Sequence, residues 1–153
     1  MKNRINFKKQ VLIVEDDINK LHAIMEYIRQ LGLSEIETKT SHHSGLKELV
    51  SHPYDLVLLD MSMPAYDITV HENGGRPLPL AGRDILYSMW RRKIKCKAIV
   101  ITQYEDFGGT SLGSLDEDLK KSFPEIYLGV VYYNTMQEGW KSALKELLSS
   151  VMR

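Results

Sequence analysis

Three short stretches of this chain show no alternation of apolar and polar positions. Val11-Leu12-Ile13-Val14, Leu56-Val57-Leu58-Leu59 and Ala98-Ile99-Val100-Ile101 are unbroken apolar runs. Such runs read as parallel strands buried on both faces. Each stops abruptly at a polar group: Glu15-Asp16-Asp17 after the first, Asp60 after the second, Thr102 after the third. Open parallel sheets carry their chemistry at the carboxyl ends of the strands. If the three strands are neighbours, they deliver Glu15, Asp16, Asp60 and Thr102 to one edge.

Helical spacing fills the gaps. Leu21, Ile24, Met25, Ile28 and Leu31 define one buried helical face, with Asp16 or Asp17 as its cap and Gly32 as its end. Glu35–Thr40 reads as a short strand near an edge. Ser41 caps a helix carrying Leu46, Leu49 and Val50, closed by Pro53. A helix from about Gly82 to Lys93 places Ile85, Leu86, Met89 and Trp90 together. A weaker one runs from about Leu115 to Phe123 and stops at Pro124. A last strand, roughly Tyr127–Tyr133, precedes a helix carrying Met136, Trp140, Leu144, Leu147, Leu148 and Val151, with Thr135 as its expected cap. Trp90 and Trp140 read as core or interface.

Strand and helix thus alternate five times. That order predicts an α/β fold, (βα)5, with a doubly wound, five-stranded parallel sheet in a three-layer α/β/α arrangement. The expectation is a single domain over 1–153, with an inserted loop or hairpin at about 65–80. Asn73-Gly74 is a two-residue turn signal there. Ile68, Val70, Leu78 and Leu80 supply apolar groups to order it. The second long connection, Gln103 to Ser114, contains Gly108-Gly109. No Lys-Ser/Thr follows that pair, so it reads as a flexible loop rather than a phosphate cradle.

Composition narrows the class. Twenty basic and twenty acidic residues cancel, so no gross field draws in nucleic acid or an anionic membrane. A single cysteine, Cys96, excludes an internal disulfide and an all-cysteine metal site. No apolar run is long enough to span a bilayer. Residues 1–10 lack the apolar segment of a signal peptide, and 1–9 read as a solvated, basic lead-in. A cytoplasmic protein is expected. His22, His42, His43, His52 and His71 lack metal-ligand spacing and read as surface residues. The candidate chemistry therefore lies in the carboxylates. Crowded carboxylates resist joint ionisation, and a hard divalent cation relieves them. Mg2+ suits a site with few carboxylates and several waters.

These features together resemble the receiver domain of bacterial response regulators, a CheY-like, flavodoxin-like fold, over essentially the whole chain. Val-Leu-Ile-Val-Glu15-Asp16-Asp17 is similar to the family's acidic pair. Asp55-Leu-Val-Leu-Leu-Asp60-Met-Ser-Met-Pro64 resembles its phospho-acceptor strand. Ile-Val-Ile-Thr102 resembles its strand-four hydroxyl position. The resemblance implies that Asp60 accepts a phosphoryl group from a histidine kinase or phosphotransfer protein. It implies that Asp16, Asp60 and the backbone carbonyl of Ser62 hold Mg2+, with Glu15 acting through water. It also implies that Thr102 turns inward to bond the phosphoryl oxygen.

One departure stands out. The family places a Lys at the end of strand five. Here the aligned position is Tyr132 or Tyr133, and Gly129 or Val130 replaces the usual aromatic switch partner. Gln103 also stands where a small residue is usual. Two readings follow. The first is a working stand-alone receiver whose missing cation comes from Arg76, Arg83 or a partner. The second is a pseudo-receiver, a phosphorylation-independent protein-interaction module. Either signals to an effector protein by direct contact, with a homodimer possible, and neither is expected to be an enzyme in the usual sense. An aspartyl phosphatase would want an acid two residues after its nucleophile, where this chain has Ser62. A flavin module would want a hydroxyl-rich loop after strand one, where this chain has Glu15-Asp16-Asp17.

Overall fold

The computed structural model describes residues 8–71, 73–75 and 77–152. Along the chain run β1 (Gln10–Val14), α1 (Ile18–Gln30), β2 (Glu35–Lys39), α2 (His42–Ser51), β3 (Leu56–Leu59), β4 (Met63–Pro64) and β5 (Pro77–Leu78). Then come α3 (Ala81–Arg91), β6 (Lys97–Thr102), β7 (Asp106–Phe107), β8 (Thr110–Ser111), α4 (Leu112–Ser122), β9 (Tyr127–Tyr132) and α5 (Gly139–Leu148). Five strands form one parallel sheet in the order β2-β1-β3-β6-β9. This is the doubly wound architecture expected from the sequence, with the strand order of the flavodoxin-like type. The strands ending in Glu15, Asp60 and Thr102 are adjacent, so the polar groups do share one edge.

The absence of alternation in these strands has a direct cause: both faces of the sheet are covered. Leu12, Val14, Val57, Leu59, Ala98 and Val100 pack with Leu49 of α2, Ile85 and Met89 of α3 and Leu119 of α4. Val11, Ile13, Leu56, Leu58, Ile99 and Ile101 pack with Ile24 and Ile28 of α1 and Trp140, Leu144 and Leu148 of α5. Each buried Val, Leu, Ile or Met side chain among them contributes roughly 1.5–3 kcal/mol by leaving water. α2 approaches β1 through a glycine: a Cβ on Gly45 would stand 2.7 Å from Val14 Cγ1.

Several local expectations need correction. Ile68, Val70 and Leu80 do not order the segment between β4 and β5; they are 64%, 96% and 42% exposed. Only Leu78 packs against the core. The two-residue strands β4 and β5 pair further from the turn than expected, Met63 with Leu78 and Pro64 with Pro77. What organises the segment is polar. Asp67 Oδ1 accepts the hydroxyls of Thr40 and Ser44 at 3.2 and 2.8 Å, and Ala65 O accepts the His43 amide at the start of α2. A helix start has amides with no partner inside the helix, and the loop supplies one.

Gly108-Gly109 forms a tight turn. Both have positive φ and join β7 to β8 as a tight hairpin, with Phe107 buried beneath it. Thr135 does not cap α5. Asn134 Oδ1 accepts the Met136 amide, a turn forms at 134–137, and the helix begins at Gly139. Met136 is 88% exposed as a result. Val50 and Trp90 are also exposed, Trp90 beside Tyr87, whereas Trp140 lies in the core. Most of the basic lead-in, and Arg76, fall outside the described residues.

Candidate functional site

The site sits where β1, β3 and β6 end. Glu15 and Asp60 are buried, at 2% and 4% exposure, and Asp16 is exposed beside them. One carboxylate oxygen from each of the three lies within 4.8 Å of the others. Glu15 is anchored by its own amide to Lys39 O of β2, and its Oε2 accepts the Asp17 amide at 3.1 Å. Asp60 is held by its amide to Val14 O, and its Oδ1 accepts the Met61 amide at 2.7 Å. Asp17 is not in the cluster. It caps α1, accepting the amides of Asn19 and Lys20.

The centre of the site is a residue the sequence reading passed over. Lys20 is 1% exposed. Its Nζ lies 2.8 Å from Glu15 Oε1, 3.2 Å from Asp60 Oδ2 and 2.7 Å from Ile101 O. An ammonium has three donors, and each has an acceptor here. The ring of Tyr133 stands 5.9 Å from the same nitrogen. A signal for this existed. Lys20, Ile24 and Ile28 are buried in a row at spacings of four on α1, so a lysine continues the apolar stripe toward the acidic strand ends. A lysine on a buried face needs a counter-charge, and the strand-end carboxylates lie at that level.

Burial sets the electrostatics. It pushes the Glu15 carboxyl up to about 7, with Lys20 opposing the shift and Asp60 adding to it. Burial also raises the Asp16 carboxyl, against its own backbone amide, with the Asp60 charge adding to the rise. One ammonium, Lys20, pairs with Glu15 and Asp60, and Asp16 beside them has no ion-pair partner among the described residues. Oxygen donors at this spacing with an exposed flank at Asp16 are what a hard cation such as Mg2+ requires.

The other expected residues fall as follows. Thr102 is fully buried at the end of β6, and its Oγ1 accepts the Tyr104 amide at 3.2 Å. Ser62 is half-buried in the segment after Asp60. Tyr132 pairs with Thr102 in register and is 38% exposed; Tyr133 is buried, and its amide bonds Thr102 O. Arg83 does not reach the site. Its Nε and Nη2 bond Asp118 of α4, at 3.1 and 3.0 Å. The second feature missed is Gly82. Its amide donates to Met61 O, and a Cβ there would stand 2.6 Å from Asp60 O and 3.1 Å from Met61 Cα. The start of α3 therefore rests directly on the backbone that presents Asp60.

Comparison with known proteins agrees with this geometry. The family model of response regulator receiver domains matches residues 11–74. The Detocs response regulatory protein DtcB of Enterobacter cloacae is 34% identical over 142 residues, spanning 88% of this chain and 95% of its own. An uncharacterized protein, y4jR, of Sinorhizobium fredii is 31% identical over 152 residues, spanning 94% of this chain and 99% of its own. Among solved structures, the response regulator TrrA of Thermotoga maritima, in complex with Mg(2+)-BeF, superposes with a TM-score of 0.59 at 25% identity. That match covers 92% of this chain and 99% of TrrA. A doubly wound sheet with an acidic cluster at its carboxyl edge and these relatives defines the class. The chain belongs to the response regulator receiver family of two-component signalling.

Proposed function

We propose that this chain is a receiver that takes a phosphoryl group onto Asp60 with Mg2+ bound, and that residues 1–153 act as one such domain carrying an insertion at about 65–80. The observation that carries this is the placement of Asp60: buried at the end of the central strand, within 4.8 Å of Glu15 and Asp16. Asp16, Asp60 and the Ser62 carbonyl would hold the metal, and Glu15 would act through water. The cation neutralises charge as a phosphoryl group moves onto a carboxylate nucleophile. Thr102, one residue beyond the Lys20-bonded carbonyl of Ile101, would report the added charge to the loop that follows. The donor would be a histidine kinase or phosphotransfer protein, and the output a contact with an effector protein.

A second reading, a phosphorylation-independent interaction module, draws on one observation: Tyr132 ends β9 and Tyr133 follows it, where the family's cation is expected. Intact mass after incubation with acetyl phosphate and MgCl2 decides between them. A phosphoryl adduct on the wild type and none on Asp60→Asn supports the receiver. No adduct on either, with Mg2+ binding retained, supports the interaction module.

A further inference from the structure

We infer that Lys20 supplies, from helix α1, the cation that stabilises phosphoryl transfer to Asp60; this rests on the phospho-acceptor reading above. No other described Lys or Arg shares an ion pair with Glu15 or Asp60. Its nitrogen already touches the reacting carboxylate, at 3.2 Å from Asp60 Oδ2. It is fixed by two further bonds, to Glu15 at 2.8 Å and to Ile101 O at 2.7 Å. The side chain is buried, so its charge acts where water is largely excluded and interactions are strong. A donor held in place before charge develops is the arrangement that lowers a transition state.

The step balances without a proton moving. An oxygen of the Asp60 carboxylate attacks the phosphorus of acetyl phosphate. The new O–P bond forms as the bond from phosphorus to the acetate oxygen breaks, and acetate leaves with the electron pair. Asp60 exchanges one negative charge for about two on the phosphoryl group. The Lys20 ammonium keeps its protons and turns its Asp60-facing donor onto a phosphoryl oxygen. Its flexible four-carbon stem allows that short movement. Because the same nitrogen bonds Ile101 O, the movement is transmitted to the residue before Thr102.

The test is the limiting rate of adduct formation on Asp60 at saturating Mg2+ and acetyl phosphate, in wild type and Lys20→Met, with Mg2+ affinity measured by calorimetry. The expected result is a limiting rate roughly 100-fold lower, with Mg2+ affinity unchanged or tighter. A purely structural counter-ion would leave the limiting rate alone once metal and fold are in place. If Lys20→Met does not fold, Glu15→Gln/Lys20→Met removes both halves of the buried pair and is compared with Glu15→Gln alone. The same loss of limiting rate is expected on adding Lys20→Met. A folded Lys20 variant with its comparator's limiting rate overturns the role of Lys20 and leaves the phospho-acceptor reading intact. No adduct on wild type overturns both.

Discussion

The missing Cβ of Gly82 stands over the carbonyl of Asp60: an alanine there would bring a methyl to 2.6 Å from that oxygen and 2.7 Å from Leu59 Cδ1. Neither neighbour can give easily, since one is backbone and the other a buried core side chain. Gly82→Ala is therefore expected to destabilise the fold by about 1–3 kcal/mol, as overpacking does, and to displace Asp60. A denaturant titration reads the first effect. Adduct formation with acetyl phosphate reads the second. Wild-type values for both would show that α3 does not position the acidic loop.

The buried pair of Lys20 with Glu15 and Asp60 predicts an asymmetric response. Lys20→Met leaves two buried carboxylates facing each other, and breaking a buried pair from one side costs roughly 3–5 kcal/mol. Glu15→Gln/Lys20→Met removes one charge of each sign and is expected to cost less than Lys20→Met alone. Chemical denaturation of the three proteins in the absence of Mg2+ checks the order.

Asp16 offers a separable handle on the metal. It lies on the exposed side of the cluster and bears none of the buried ion pairs. Mg2+ that binds only the folded state raises stability, by about 2.7 kcal/mol at a hundredfold excess over Kd. The melting temperature of wild type is expected to rise with MgCl2. That of Asp16→Asn is expected to rise much less, with little change in its value without metal.

Asp67 predicts an acid limb. The hydroxyls of Ser41, Ser44 and Thr40 hold its carboxyl below the usual carboxylate range. A lowered folded-state value stabilises the fold above the ordinary Asp range, and that contribution is lost as pH falls through the lowered value. Asp67→Asn should be less stable than wild type at neutral pH, and the gap should close at the acid end. Thermal melts of both proteins from pH 7 to pH 2 follow it; a gap that stays constant would remove the carboxylate from the account.

Cys96 should be inert in the native protein. It is buried just before β6, and burial, with Asp55 nearby, pushes its thiol up to about 12. The thiolate is the reactive form, so iodoacetamide at pH 8 should leave native protein unmodified and add one label after unfolding. Mass spectrometry reads the label directly, and rapid native labelling would contradict the packing around Ile94 and Cys96.

Much of this protein is legible along the chain. Apolar runs without alternation, each ending in Glu15, Asp60 or Thr102, state a sheet covered on both faces and chemistry at its carboxyl edge. Those signals are local, because burial of both strand faces is written in consecutive residues. Helix starts are less so. Ser41 caps α2 as its sequence suggests, but Asn134 forms a turn with Met136 that delays α5 past Thr135. Two short-range hydrogen-bonding options compete there, and the sequence alone does not rank them.

Packing across the fold decided the rest. Ile68 and Val70 look apolar enough to anchor their loop, yet the loop is tied down by Asp67, whose partners lie on another element. Gly82 looks like an ordinary helix residue until the backbone of Asp60 is laid against it. Lys20 carries the clearest lesson. Its place on the α1 stripe is periodic and readable, but two of its three partners are 40 and 81 residues away, at Asp60 and Ile101. The family places its cation on the last strand; here the lysine paired with Asp60 comes from the first helix. What a site requires is a charge at a point in space, and only the folding of α1 onto the strand ends determines which residue reaches that point.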